Sequence, residues 1–252
     1  MKITILGCGT STGVPVIGCH CPTCSSTNPR NKRTRSSILM RENGKNVLID
    51  TSTDLRAQAL MNGVERIDAV LFTHPHADHI HGIDDLRAFN TAQKGPIPCY
   101  GSGTTIERIR VMFDYIFRDD VRDGWKPNLT TTVVDGPFSL FGIEIAPIEI
   151  SHGSATIFGY RVGKLAYLTD CSGIPTASIE RLTGVELLIL GALRHKPHPT
   201  HFSIEQAVQA SRTISPKRTI LTHLGHNLDY EKDDSLLPEG IELAYDGLVV
   251  EL

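Results

Sequence analysis

Thr73-His74-Pro75-His76-Ala77-Asp78-His79 decides how this chain is read. The stretch follows Ile67–Phe72, a short apolar run of strand length. His74, His76, Asp78 and His79 fall within six positions at the end of that run. Four such side chains converge only if the loop folds round something, and Pro75 beside an apolar strand argues for an ordered loop. Imidazole and carboxylate are borderline-to-hard donors that suit zinc, manganese or iron. A divalent-metal site is the expectation.

Outward from this loop, the pattern alternates strands and helices, which favours a layered α/β architecture. Ser37–Met40 and Asn46–Ile49 read as a hairpin across Asn43-Gly44. Asp54 to Met61 reads as a helix with Asp54 as N-cap and Gly63 as its stop. Ile83–Gln93 and Thr104–Phe117 read as helices. Val133–Val134, Phe138–Phe141, Ile143–Ile150, Thr156–Val162 and Lys164–Thr169 read as short strands. Ser203 caps a helix over Ile204–Ile214, with Glu205 and Gln206 in its first turn. Arg218–Thr222 is a strand, and Ile241–Ala244 with Leu248–Glu251 is a closing hairpin across Asp246-Gly247. The polar stretches Ser25–Arg35 and Arg118–Asn128 are too short to separate domains, so residues 1–252 are expected to form one.

His74-x-His76-x-Asp78-His79 resembles the HxHxDH signature of the metallo-β-lactamase superfamily. That superfamily also carries a later His, Asp and final His at strand ends. His152, Asp170 and His223 each follow an apolar strand here, and Asp50 matches an early supporting aspartate. The resemblance runs along essentially the whole chain. It implies a four-layer αβ/βα sandwich, two mixed β-sheets flanked by helices, with two divalent ions (Mn, Zn or Fe). His74, His76 and His152 would hold one ion and Asp78, His79 and His223 the other, with Asp170 shared and Asp50 orienting ligands. Two cations sharing a water lower its pKa from about 15.7 towards about 7. Asp78, Asp170 and His201 are the candidate catalytic residues.

Cys19, Cys21 and Cys24 form a second cluster at C-x-C-x2-C spacing. In a reducing compartment such clustering argues for metal rather than disulfides. Three thiolates are one ligand short of a closed tetrahedral zinc site. His226, three residues after His223, is the candidate fourth, because His20 is strained between two cysteine neighbours. This arrangement resembles the PhnP-type phosphodiesterases of the carbon–phosphorus lyase pathway, which implies one structural zinc. In that branch the histidine at the His201 position faces the metals. It would bind the scissile phosphate or protonate the leaving oxygen, an acid–base role worth roughly 10² to 10⁴-fold. His195 and His198 are expected to be structural or exposed, and His81 a loop residue.

With 252 residues, 40% hydrophobic and 21% charged, the composition is that of an ordinary soluble protein. The net charge of −3 weakens the case for a large nucleic-acid partner. The N-terminal strand runs into a Gly-rich loop rather than a signal peptide, and no apolar run reaches the roughly 18 to 20 residues of a membrane span. The expected compartment is the cytoplasm. The expected partner is a small phosphodiester substrate, with no membrane and a homodimer left open.

The function implied is metal-dependent hydrolysis of a small, cyclic ribosyl or related, phosphodiester by a metal-bridged hydroxide. His152 and Asp170 stand 18 positions apart, leaving no room for the protruding arm of a transfer-RNA 3′-end nuclease. The 29 residues after His223 are too few for the helical domain of a glyoxalase II-type thioesterase. A secreted β-lactamase would carry a signal peptide. The alternative from a different class is a non-catalytic metal-binding protein of cofactor biosynthesis, like the pyrroloquinoline-quinone accessory branch, which tends to lose active-site ligands.

Overall fold

A computed structural model of the protein describes residues 1–121 and 124–252; two positions of the polar stretch Arg118–Asn128 lie outside it. Among the described residues the strands fall into two sheets of seven. The first contains β1 (Lys2–Gly7), β2 (Ser37–Glu42), β3 (Lys45–Ile49), β4 (Ala69–Leu71), β5 (Ile97–Gly101) and β6 (Leu129–Val133). The second contains β7 (Phe138–Leu140), β8 (Ile143–His152), β9 (Ala155–Val162), β10 (Leu165–Leu168), β11 (Leu187–Gly191), β12 (Arg218–Thr222) and β13 (Ile241–Leu243). The last strand, β14 (Val249–Glu251), returns to pair with β1. Each sheet is mixed. β1–β3 are antiparallel and β3–β6 parallel, while β7–β10 are antiparallel and β10–β13 parallel.

The two-residue period of a strand sorts its side chains between two cores. Ile3, Ile5, Ile38, Met40, Val47, Ile49, Ala69 and Leu71 face one core, shared with the second sheet. Leu6, Leu39, Leu48 and Val70 face the other. There they pack against Leu55 and Ala59 of the helix Leu55–Met61 and Leu86 and Phe89 of the helix Leu86–Gln93. Ile204, Ala207 and Ile214 of the helix Ile204–Ile214 join the core of the second sheet. The result is the αβ/βα layering expected: two mixed sheets face to face with helices outside.

The Asn43-Gly44 hairpin forms, with both residues at positive φ (52° and 71°) as a tight turn of this hand requires. Ser203 caps the helix Ile204–Ile214 in a full capping box with Gln206. Other expectations need correction. Asp54 precedes its helix but makes no side-chain cap, because its carboxylate instead accepts from the Arg35 backbone N–H and guanidinium. The helices expected at Ile83–Gln93 and Thr104–Phe117 are each broken, into His81–Asp85 with Leu86–Gln93 and Gly103–Met112 with Asp114–Phe117. β6 ends at Val133 rather than beginning there. The closing hairpin does not exist: β13 pairs with β12 and β14 with β1, in different sheets. Asp246 does not serve a hairpin; its carboxylate accepts from the Cys8 N–H (3.0 Å), the Thr34 N–H (2.7 Å) and the Thr34 hydroxyl (2.6 Å). β5 and β11 were not anticipated.

Candidate metal centre

The strand ends place the site. Asp50 follows β3, Thr73–His79 follow β4, His152 ends β8, and Asp170 and His223 follow β10 and β12. Asp50, Asp170 and His223 all take left-handed backbone conformations, with φ of 65°, 55° and 58°. Such conformations cost non-glycine residues energy and persist where the surroundings over-determine them, often at functional sites.

His74, His76 and His152 bring ligand atoms together in one group, and Asp78, His79, Asp170 and His223 in a second. Asp170 faces both. Its Oδ1 lies 3.2 Å from His79 Nε2 and 3.1 Å from His223 Nδ1, while Oδ2 lies 3.8 Å from His74 Nε2. That is the disposition of a carboxylate shared between two sites.

Asp50, fully buried, sets the ring tautomers. Its Oδ2 accepts from His79 Nδ1 at 2.7 Å and from the Thr73 hydroxyl at 2.8 Å; Oδ1 accepts from the Thr73 N–H. Thr73 Oγ1, its proton given to Asp50, accepts from His74 Nδ1 at 3.0 Å. One carboxylate therefore orients a histidine of each group, fixing Nδ1 of both rings as the donor and leaving both Nε2 atoms for an ion. His152 Nδ1 donates to the Asp170 and Thr200 carbonyls at 2.8 and 2.9 Å, freeing its Nε2 as well.

The electrostatics fit a cation. Burial pushes the His79 pKa down, yet Asp170, Asp78 and Asp50 outweigh it and hold the ring well above its ordinary value. Burial raises Asp78 and Asp170, but the histidines, His79 for Asp78 and His223 for Asp170, hold both below the usual carboxylate range. His74, His76 and His223 are lowered, first by burial. Asp78 Oδ2 and His79 Nε2 are buried and without hydrogen-bond partners. Buried polar atoms are rarely left so, because each costs about 1–3 kcal/mol. Divalent ions among these donors would satisfy them.

The cysteine cluster is a second metal-type constellation. The sulfurs of Cys19, Cys21 and Cys24 lie 3.3, 3.6 and 3.5 Å from a single atom, His226 Nδ1. These separations suit a tetrahedral site with bonds of about 2.0–2.3 Å. The Cys24 backbone N–H is the chief cause that draws the Cys21 thiol down to about 7, favouring the thiolate. His20 is exposed and outside the group.

The remaining histidines divide. His201 stacks on His223 (4.8 Å between centroids), stands 4.9 Å from His152, and has Nδ1 3.8 Å from Asp170 Oδ2. Burial first, then His223, pulls its pKa down to about 3, so the ring is neutral at pH 7. His195 bonds Asp233 at 2.9 Å, and His81 packs edge-on against Phe113. Thr10 and Ser36, which approach His223 at 3.1 and 3.3 Å, were not anticipated; only the Gly-rich loop after β1 hinted at Thr10.

Fold and site together define a metallo-β-lactamase fold with paired His/Asp metal-type groups, and residues 45–224 match the beta-lactamase superfamily domain. A crystal structure of a diphosphatase from the PhnP family superposes with a TM-score of 0.93 and 43% identity, covering 100% of this chain and 97% of that one. The chain belongs to the PhnP family within that superfamily. It is also 40% identical, over 98% of its length, to an octanoyltransferase of Porphyromonas gingivalis, but spans only about half (51%) of that protein. A coenzyme PQQ synthesis protein B of Methylobacterium radiotolerans is 28% identical, with 77% of this chain and 74% of that protein covered. No helix among the described residues is long and apolar enough to cross a membrane.

Proposed function

We propose that the protein is a metal-dependent phosphodiesterase acting on a small phosphodiester, or on the phosphoanhydride of a diphosphate-linked nucleotide. The observation that carries this reading is Asp170, whose two oxygens face separate groups of ligands beside the neutral donor His201. His74, His76 and His152 would hold one ion and Asp78, His79 and His223 the other. When bound, such a pair supplies Lewis-acid activation of water and of a phosphoryl oxygen.

The chain's own residues do the rest. Asp50 and Thr73 hold His74 and His79 in one tautomer, so neither ring has to reorganise during turnover. A neutral His201 ring is better suited to donate a hydrogen bond to a phosphoryl oxygen than to act as a ready proton source. Thr200 and the Asp170 carbonyl fix His152.

A diphosphatase with 43% identity supports phosphate-ester chemistry. The octanoyltransferase name describes a protein about twice as long, and acyl transfer has no separate support in this chain. Cofactor biosynthesis without catalysis, suggested by the PQQ relative, sits poorly with a full set of ligands. The deciding experiment compares turnover of bis(p-nitrophenyl) phosphate, a thioester and a β-lactam by manganese-loaded protein. Preference for the phosphodiester is expected; preference for either other substrate overturns the reading.

A further inference from the structure

His198 takes no part in the mechanism above, yet its environment fixes it as a hydrogen-bond donor. The Thr200 backbone N–H donates to His198 Nδ1 at 3.3 Å. A backbone N–H can only donate, so Nδ1 carries the lone pair and the neutral ring keeps its proton on Nε2. The Thr200 hydroxyl, 3.1 Å from the same nitrogen, adds a second donor there. Among the described residues nothing hydrogen-bonds Nε2.

Position makes this donor useful. The His198 ring stands 5.2 Å from that of His201, which in turn stands 4.9 Å from His152. Thr200 joins the two outer rings: its carbonyl accepts from His152 Nδ1 while its N–H and hydroxyl hold His198. Close packing reinforces this placement. Gly153 lies at a φ of +61°, and a Cβ there would come 2.9 Å from Thr200 Cγ2. The neighbouring cation, Arg194, is occupied by the Lys196 and Pro197 carbonyls of its own loop.

We infer that His198 is a substrate-binding residue whose Nε2–H contacts the second phosphate of a diphosphate-linked substrate, next to the phosphoryl group held at His201. The inference rests on the phosphodiester reading of the same site. A single phosphate would already be met by His201 and by the ions that the His/Asp groups would hold. A neighbouring neutral donor adds a contact only when a second anionic group lies alongside. Hydrogen bonds to charged acceptors are among the stronger ones, which makes one such contact worth about tenfold in affinity or more.

The test is calorimetric binding of α,β-methylene-ADP and of AMP to manganese-loaded wild type, His198→Ala and His198→Gln. His198→Ala should bind α,β-methylene-ADP about tenfold more weakly and AMP almost unchanged. His198→Gln, which returns an N–H near the Nε2 position, should recover much of the loss. For a hydrolysable nucleoside diphosphate ester, His198→Ala should raise KM with little change in kcat. Equal weakening of both ligands, or of neither, overturns the assignment. The affinity ratio is read from binding alone. A wild type that binds both ligands but does not hydrolyse bis(p-nitrophenyl) phosphate would therefore count against the proposed reaction, not against His198.

Discussion

His223 and His226 stand three residues apart and face different clusters: His223 Nδ1 lies 3.1 Å from Asp170 Oδ1, and His226 Nδ1 lies 3.3 to 3.6 Å from three cysteine sulfurs. The loop between them is held from three sides. Leu224 N–H donates to the Cys8 carbonyl, Gly225 N–H to the Leu193 carbonyl, and the buried Arg33 guanidinium to the Gly225 carbonyl at 3.0 Å. An ion at the cysteines would therefore brace one corner of the His/Asp site.

From that bracing, Cys21→Ser should lose tightly bound zinc and melt several degrees lower. In a chain of this size each 1 kcal/mol moves the midpoint by about 2–4 °C. Activity should fall partly, through a displaced His223, without being abolished. Elemental analysis beside thermal melts checks this; unchanged zinc and an unchanged midpoint would remove the cysteines from any metal role.

Asp50→Asn should keep the fold and weaken metal binding about 10- to 100-fold, because the carboxylate orients His79 directly and His74 through Thr73. Excess manganese should recover much of the turnover. A variant whose metal affinity matches wild type would show that Asp50 does not tune the ligands.

His201→Ala should retain its metals and lose roughly 10²-fold or more in turnover, the scale of a lost oxyanion-type donor. With a neutral ring the loss should be similar for nitrophenolate and alkoxide leaving groups. A loss confined to poor leaving groups would instead assign His201 to general-acid catalysis.

Acid sensitivity has a separate origin in Asp68. Burial raises this carboxyl, but Arg66, the Asn46 N–H and Lys45 together lower its pKa below the ordinary value. Its folded pKa is below its unfolded one, so its stabilisation is present above the usual carboxylate range and is lost as pH falls through the folded value. Asp68→Asn should therefore be less stable at neutral pH and lose less of its stability on acidification. Parallel melting curves from pH 7 to pH 3 for both proteins would refute this.

The residues of the His/Asp centre were legible because ligand-type side chains sit directly after apolar strands, a local pattern. The Ser203 cap was legible for the same reason, since its partner Gln206 is three residues away. The closing hairpin was misread because Asp246-Gly247 is good turn chemistry, whereas strand pairing depends on distant partners: β12 for β13 and β1 for β14. β11 is apolar throughout, Leu187-Leu188-Ile189-Leu190, and a strand buried on both faces has no period to read. For His198, expected to be structural or exposed, the tautomer was not legible because it depends on how Thr200 folds back.

The central claim is that the two ligand groups sharing Asp170 form a phosphodiesterase centre. The measurement that tests it most directly is bis(p-nitrophenyl) phosphate hydrolysis by metal-stripped wild type and Asp170→Ala as manganese is added back, with bound metal counted at each step. The account predicts no turnover without metal, recovery in wild type as the His/Asp sites fill, and neither full loading nor turnover in Asp170→Ala. Wild-type turnover by Asp170→Ala, or fully loaded wild type that leaves the diester intact, would contradict it.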